Sequence, residues 1–275
     1  MLKNIILYIY IVSGYGEGEG PVILTDPSVN RSDTIGKEGM VTGSLQDWNE
    51  IDWKKAKKEV ESKQEKIVIA TLRKDMREVY KLQRELVMSF AARALAVRKV
   101  ISNKGGKTAG VDRVIWKGSE QYLHAVKELL KIVQKPKEYK AQPLRRVEIP
   151  KPGSDEKRKL GIPTMIDRAV QAVYHMGVDP VVEVNSDKNS FGFRKSRSTH
   201  DAIAYARSHL DKKTAPNWVL EADISKCFDK ISHEFLMEHT PIADKCILEQ
   251  WLKSGVMIYG VFEGTDEGTP QGGGG

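Results

Sequence analysis

The chain has 275 residues and a mass of 30.9 kDa, with 40% hydrophobic and 29% charged residues and a net charge of +7. This is ordinary for a globular protein and leaves ample material for one large domain or two modest ones. The two cysteines, Cys227 and Cys246, have neither C-x-x-C spacing nor a nearby His pair, so neither a zinc site nor a disulfide framework is indicated and a reducing compartment is the default.

The positive charge is uneven. Within residues 1–50, three bases (Lys3, Arg31, Lys37) face seven acids (Glu17, Glu19, Asp26, Asp33, Glu38, Asp47, Glu50), so the remainder is more basic than the overall balance. Such a body favours a polyanionic partner, nucleic acid first and an acidic membrane surface second. The apolar run at residues 5–12 is far short of the ~20 residues that span a bilayer. It imitates a weak export signal, but the reading adopted is a chain that is not secreted. Residues 1–47, rich in Gly, Asp, Glu, Ser and Thr without periodicity, read as a flexible leader.

From Trp48 the pattern changes. Val60, Ile67, Ala70, Val79, Leu82, Leu86, Phe90, Leu95 and Val97 recur at three- and four-residue steps, which predicts one long amphipathic helical region or two helices, stopped by Gly105-Gly106. Lys54, Lys55, Lys57 and Lys58 lie on its polar side; singly, each is a solvated lysine. Residues 122–133 predict another helix, ended before Pro136. Alternation from Leu144 to Lys151, a Pro-Gly turn and a return strand over residues 158–162 predict a β-hairpin. Residues 166–184 predict helix split by Gly177 and Pro180. Residues 199–210 predict a helix capped by Ser198 or Thr199, with Ala202, Ile203, Ala206 and Leu210 inward. An apolar run over residues 218–223 predicts a buried strand that delivers Asp223 to its end. Helical stretches near 232–239 and 242–253 and a short strand at 256–262 complete the chain. Interspersed, mostly antiparallel strands with helices to one side make the expected class α+β.

The chemistry concentrates around Asp223. A carboxylate fixed at a strand end is a ligand for Mg²⁺, which prefers oxygen and takes few carboxylates besides substrate phosphates. Phe228, five positions on, supplies a wall for a sugar, and Asp229 follows it. Taken alone, Asp223 reads equally as a helix-capping acid, Phe228 as a core aromatic and Asp229 as a surface acid.

A series of motifs in order changes that balance: Leu82-Gln83, then Lys104-Gly105-Gly106-Lys107-Thr108-Ala109-Gly110-Val111-Asp112, Arg145-Arg146 with Ile149-Pro150-Lys151, and Lys157-Arg158-Lys159-Leu160-Gly161-Ile162-Pro163. Phe191-Gly192-Phe193-Arg194, Asp223-Ile224-Ser225-Lys226-Cys227-Phe228-Asp229 and Thr269-Pro270-Gln271-Gly272-Gly273 follow. From about Trp48 to Gly273 the chain resembles the reverse transcriptases encoded by mobile group II introns, also called intron maturases. The resemblance implies a right-hand polymerase: a helical N-terminal extension over 48–110, fingers over 111–215 and the first part of the palm over 216–275. It implies RNA-directed DNA synthesis and help with intron splicing, with intron RNA, a DNA primer or target and a deoxynucleoside triphosphate as partners and Mg²⁺ as cofactor. The expected setting is the bacterial cytoplasm or an organelle, with no membrane partner and no oligomer.

By the same resemblance, Asp223 and the Ile224 carbonyl would hold the metals, and Phe228 would lie under the incoming sugar and reject a 2′-hydroxyl. Lys151 and Arg158 would grip the triphosphate, and Gln271 would touch nucleotide and template. Arg145, Arg146, Arg194 and Lys195, together with Lys54, Lys55, Lys57 and Lys58, would meet RNA phosphates. Two departures stand out. Lys159 occupies a position where proline is common. The family's apolar helix and Tyr-Ala-Asp-Asp turn do not follow the Pro-Gln-Gly motif, where a run of glycines stands instead, and each glycine costs a helix about 1 kcal/mol. With one carboxylate of the metal set, the expectation is a polypeptide that does not extend a primer by itself. The alternative reading is a non-catalytic intron-RNA-binding splicing factor or a degenerate remnant.

Overall fold

The computed structural model describes residues 47–150, 153, 155, 157–215 and 218–269, the side chain of Arg158 excepted. The predicted leader at 1–47, Lys151 and Gln271 lie outside or at the margin of these residues.

The helical region opens with a 3₁₀ turn at Trp48–Glu50 and contains three helices, α1 (Trp53–Leu72), α2 (Met76–Met88) and α3 (Phe90–Ser102), where periodicity predicts one or two. The breaks are encoded by caps rather than by apolar spacing. Asp75 accepts the Glu78 N–H at 3.1 Å, and Ser89 accepts that of Ala92 at 3.2 Å, each starting a new helix. A 3₁₀ turn at Lys104–Lys107 ends the region, and α4 (Ser119–Gln134) follows. Trp48 packs its ring on Trp53 and Tyr122, tying the start of the bundle to α4.

The predicted hairpin is present: β1 (Leu144–Pro150) pairs antiparallel with β2 (Lys157–Ile162), Arg145 opposite Ile162 and Pro150 opposite Lys157. Helix α5 (Met165–Asn185) then runs through the bundle and packs on α1, α2 and α3. The expected split at Gly177 and Pro180 does not occur. Pro180 has no N–H for the carbonyl of Met176, but Gln64 of α1 donates its side-chain amide to that oxygen at 2.8 Å. Gln83 of α2 likewise donates to the Gly177 carbonyl at 2.9 Å. Two glutamines from neighbouring helices thus satisfy the backbone at the proline, and the helix continues.

Helix α6 (Thr199–Leu210) has the predicted Ser198 cap, closed by Asp201 as a reciprocal capping box. Its predicted inward face is a correction: none of its residues is buried, and Ile203 and Leu210 are exposed because no described element packs over them. The strand predicted at 218–223 is a second correction. Those described residues join no sheet, and Trp218 and Leu220 are each 91% exposed. β-propensity makes a strand only where a neighbour completes the ladder, and among the described residues none does. Asp223 therefore does not sit at the tip of a buried strand.

The C-terminal part contains the short α7 (Cys227–Lys230), α8 (His233–His239) and α9 (Lys245–Leu252). The single strand predicted at 256–262 is instead a tight hairpin of β3 (Val256–Ile258) and β4 (Val261–Glu263), turned through Tyr259 and Gly260 at positive φ. β3 pairs parallel with β1, giving a four-stranded mixed sheet of order β2-β1-β3-β4. The molecule is thus a helical bundle with a small mixed sheet, in agreement with the α+β expectation.

His175 of α5 has a pH consequence. Burial, with Lys99 and Lys195 nearby, pulls its pKa down to about 3 from an ordinary 6.5. The folded state keeps it neutral while the unfolded chain takes up a proton below pH 6.5, so stability is full above that pH and falls as pH drops toward 3, by up to about 1.4 kcal/mol per unit. His175→Gln should flatten this part of a denaturation series run between pH 7 and 4; an unchanged slope would show that other groups set it.

Candidate functional site

The segment around Asp223 is a surface turn followed by the short α7. Asp223 is exposed, and its Oδ1 accepts the Ile224 N–H at 2.9 Å; the Ile224 carbonyl accepts the Cys227 N–H at 3.4 Å. Lys226, at φ +53, turns the chain into α7. Burial and the nearby Asp223 carboxylate both push the Cys227 thiol up. Phe228 is half-buried and packs on the main hydrophobic core, while Asp229 is exposed.

What the structure brings to this turn is the start of the Thr-Pro-Gln-Gly motif. The Phe228 carbonyl accepts the Thr269 N–H at 2.6 Å, and the Ile231 carbonyl accepts that of Gly268 at 2.8 Å. His233 Nε2 lies 2.7 Å from the Gly268 carbonyl, and Lys230 pairs with Glu267. Gly268 is required here: at φ +77 a Cβ would stand 2.7 Å from the Asp229 carbonyl oxygen and 2.8 Å from that of Phe228. Two motifs distant in sequence are therefore one backbone-bonded unit.

The hairpin cations have separate surroundings. Arg145 spends its guanidinium on the Ala109 carbonyl, at 3.0 Å from Nε and 2.8 Å from Nη2. Arg146 is half-buried, its Nε enclosed without a partner among the described residues. Arg158 stands opposite Ile149 in the ladder.

The loop 104–112 is clipped down by a residue that sequence reasoning missed. Arg168 donates to the carbonyls of Gly105 (2.7 Å), Thr108 (2.5 Å) and Pro163 (2.9 and 3.0 Å). Its signal was available, since Thr164-x-x-Asp167 before an apolar run marks a helix start and places Arg168 in the first turn. Thr164 caps α5 by accepting the Asp167 N–H at 3.2 Å and donates its hydroxyl to the Asp167 carboxylate at 2.6 Å, and that carboxylate also accepts the Tyr139 hydroxyl at 2.5 Å and the Gln142 N–H at 3.2 Å.

In the Phe191–Arg194 loop the Arg194 side chain is nearly buried and ion-paired with Glu183 at 3.0 Å, whereas Lys195 is exposed. Lys54, Lys55, Lys57 and Lys58 are all exposed on α1, Lys57 with Glu61 at 3.6 Å. The structure thus keeps Asp223, Ile224 and Phe228 in one local segment and Arg145 and Arg146 at the hairpin root, whereas Arg194 is held at Glu183 near the end of α5 and the α1 lysines stand on the helical bundle.

Comparison with known proteins follows the same order along the chain. The model of the N-terminal domain of reverse transcriptase matches residues 48–129, and that of reverse transcriptase (RNA-dependent DNA polymerase) matches residues 149–274. The chain is 36% identical over 187 residues to protein YkfC of Escherichia coli, covering 66% of this chain and 49% of that protein. It is 32% identical over 187 residues to the group II intron-encoded protein LtrA of Lactococcus lactis (65% and 30%). To a putative COX1/OXI3 intron 1 protein of Saccharomyces cerevisiae it is 30% identical over 185 residues (65% and 21%). The chain belongs to the group II intron type of reverse transcriptase. It spans about half the length of one of these relatives and less than a third of the others.

Reverse transcriptases as a family use Mg²⁺ and act on nucleic acids. In this reverse transcriptase chain Asp223 offers one hard, solvent-facing carboxylate of the kind Mg²⁺ takes. Among the described residues no three His, Cys, Asp or Glu side chains converge, and one carboxylate does not hold two dications in register. Asp223 fits as one ligand; the described residues do not make the whole metal site. No helix among them is long and apolar enough to cross a membrane.

Proposed function

We propose that this chain supplies the fingers and the first part of the palm of a group II intron reverse transcriptase and maturase, whose activity is RNA-directed DNA synthesis with assistance to intron splicing. In this reading residues 48–110 form the helical extension, 111–215 the fingers and 216–275 the palm portion, with the bacterial cytoplasm or an organelle as the setting. The observation that carries it is the 2.6 Å bond from Thr269 N–H to the Phe228 carbonyl, which joins the aspartate motif to the Pro-Gln-Gly segment, as a shared nucleotide site requires.

The residues divide the work. Asp223 and the Ile224 carbonyl are the proposed Mg²⁺ ligands, Phe228 the wall that rejects a ribose, and Lys151 with Arg158 the grip on the triphosphate. Gln271 reads the nascent pair. The exposed Lys54, Lys55, Lys57 and Lys58 hold intron RNA by its phosphates, with Lys195 on the template. Arg145, hydrogen-bonded to Ala109, and Arg194, ion-paired with Glu183, act by shaping their loops, and Arg146, half-buried on β1, is a further contact to RNA phosphate.

The test is binding of the purified chain to a group II intron RNA and to an unrelated RNA of equal length, between 50 and 200 mM salt. Preference for the intron RNA and a fall of roughly a hundredfold or more across that range are expected, the fall becoming shallower when Lys54, Lys55, Lys57 and Lys58 are replaced by alanine. In a protein carrying this sequence that extends a primer, Asp223→Asn should abolish extension and leave RNA affinity unchanged. Salt-independent binding without preference would overturn the reading.

A further inference from the structure

Phe193 is a bulky side chain at φ +58, a backbone region such residues rarely occupy. Conformations of this kind persist where the surroundings over-determine them, and here the surroundings are explicit. Glu183 of α5 receives Arg194 at 3.0 Å and Arg197 at 2.6 Å on its two carboxylate oxygens. Arg197 also donates to the Lys188 carbonyl at 3.0 Å and to that of Ser190. Ser196, at φ +61, makes a second left-handed turn on the far side of Arg194. Phe191 packs at 5.7 Å from Tyr205. Phe193, held between these anchors, keeps 63% of its surface in water.

We propose that Phe193 stacks on an unpaired RNA base, with Lys195 against the neighbouring phosphate and Glu183 as the positioning residue that clamps the loop through Arg194 and Arg197. This rests on the RNA-binding reading above. Aromatic side chains bind single strands in this way because every base offers a π-face, and adjacent cations follow the backbone. The charge of the loop selects the partner: residues 188–197 contain Lys188, Arg194, Lys195 and Arg197 and no acid. Arg194 and Arg197 are engaged by Glu183; Lys195, two positions along the chain from Phe193, is exposed and lies in the field of Asp179 on α5.

Glycine is at home at positive φ, so Phe193→Gly separates folding from binding. With a short unstructured RNA oligonucleotide as probe, Phe193→Gly should weaken binding about tenfold, while Tm stays equal to or above that of the unaltered chain. Affinity for the same sequence as a duplex and the slope of log affinity against log salt should not change. Phe193→Trp should retain affinity and show RNA-dependent quenching beyond that of the unaltered chain. Lys195→Ala should reduce the slope by about 0.7. Glu183→Gln should weaken single-strand binding in the unaltered background and add nothing to Phe193→Gly, since residues acting as one unit are not additive. Unchanged single-strand affinity of Phe193→Gly, or an equal loss on duplex, overturns the assignment while the RNA-binding reading stands. If the unaltered chain binds neither RNA, both fall together.

Discussion

Gln83→Leu is expected to destabilise the protein by about 4 kcal/mol, well above the usual cost of a point substitution. The side chain is buried and bonded at both ends. Its amide nitrogen donates to the carbonyls of Gly177 (2.9 Å) and Pro241 (2.8 Å), and its oxygen accepts the Ala243 N–H at 2.9 Å. Leucine has a similar volume and no polar atom, so the loss comes from stranded backbone groups, at roughly 1–3 kcal/mol each. The close fit enters as well: a Cβ on Gly177 would stand 3.2 Å from the Gln83 Cγ. Beside it, Arg84 and Tyr174 hold the Asp244 carboxylate at 3.1 and 2.9 Å, so the same junction joins α2 and α5 to the start of α9. A denaturant titration should show a lower midpoint at constant slope. A change below 1 kcal/mol would mean that water replaces the amide, and the junction would then be less dry than its burial implies.

Gly110→Ala should cost about 3 kcal/mol, at the upper end of what overpacking usually does. A Cβ there would lie 2.6 Å from Thr164 Cα, 2.7 Å from Thr164 N and 2.9 Å from the Pro163 carbonyl carbon. All three are backbone atoms, and they sit where Thr164 caps α5, so relief requires moving the cap or the loop. Gly105→Ala in the same motif is the matched control, because its Cβ would meet only the tip of Arg168 at 3.9 Å. It should change stability by less than about 0.5 kcal/mol. Thermal melts of the two variants side by side separate close backbone approach from a general sensitivity of the loop. Equal losses in both would refute the steric account.

The hairpin at 144–162 was legible because alternation and a Pro-Gly turn are local signals, and the structure has it in register. The unbroken α5 was not. Its continuity depends on Gln64 reaching Met176 from another helix, and no rule applied near Pro180 sees that donor. The run at 218–223 misled in the opposite sense: its composition favours a strand, yet a strand is a relation between two segments, and the described residues provide one. For the site, the motif residues Asp223, Ile224 and Phe228 do share one local segment. What spacing did not reveal is that Thr269 bonds to Phe228 and Gly268 to Ile231, or that Arg145 is bonded to Ala109 and Arg194 ion-paired with Glu183. Cationic side chains near a motif read alike in sequence whether they face solvent or hold a loop.

The parallel pairing of β1 with β3 covers Leu144 and Arg145, and the Leu144 N–H reaches the Gly255 carbonyl at 3.0 Å. The base of the long hairpin is therefore anchored to a segment more than a hundred positions further along, while its distal half, from Glu148 outward, is exposed. Amide exchange along β1 should accordingly be graded, slow at Leu144 and faster toward Pro150. Any bending of this arm is therefore confined to its outer rungs, because its root is tied to the segment at residues 255–257.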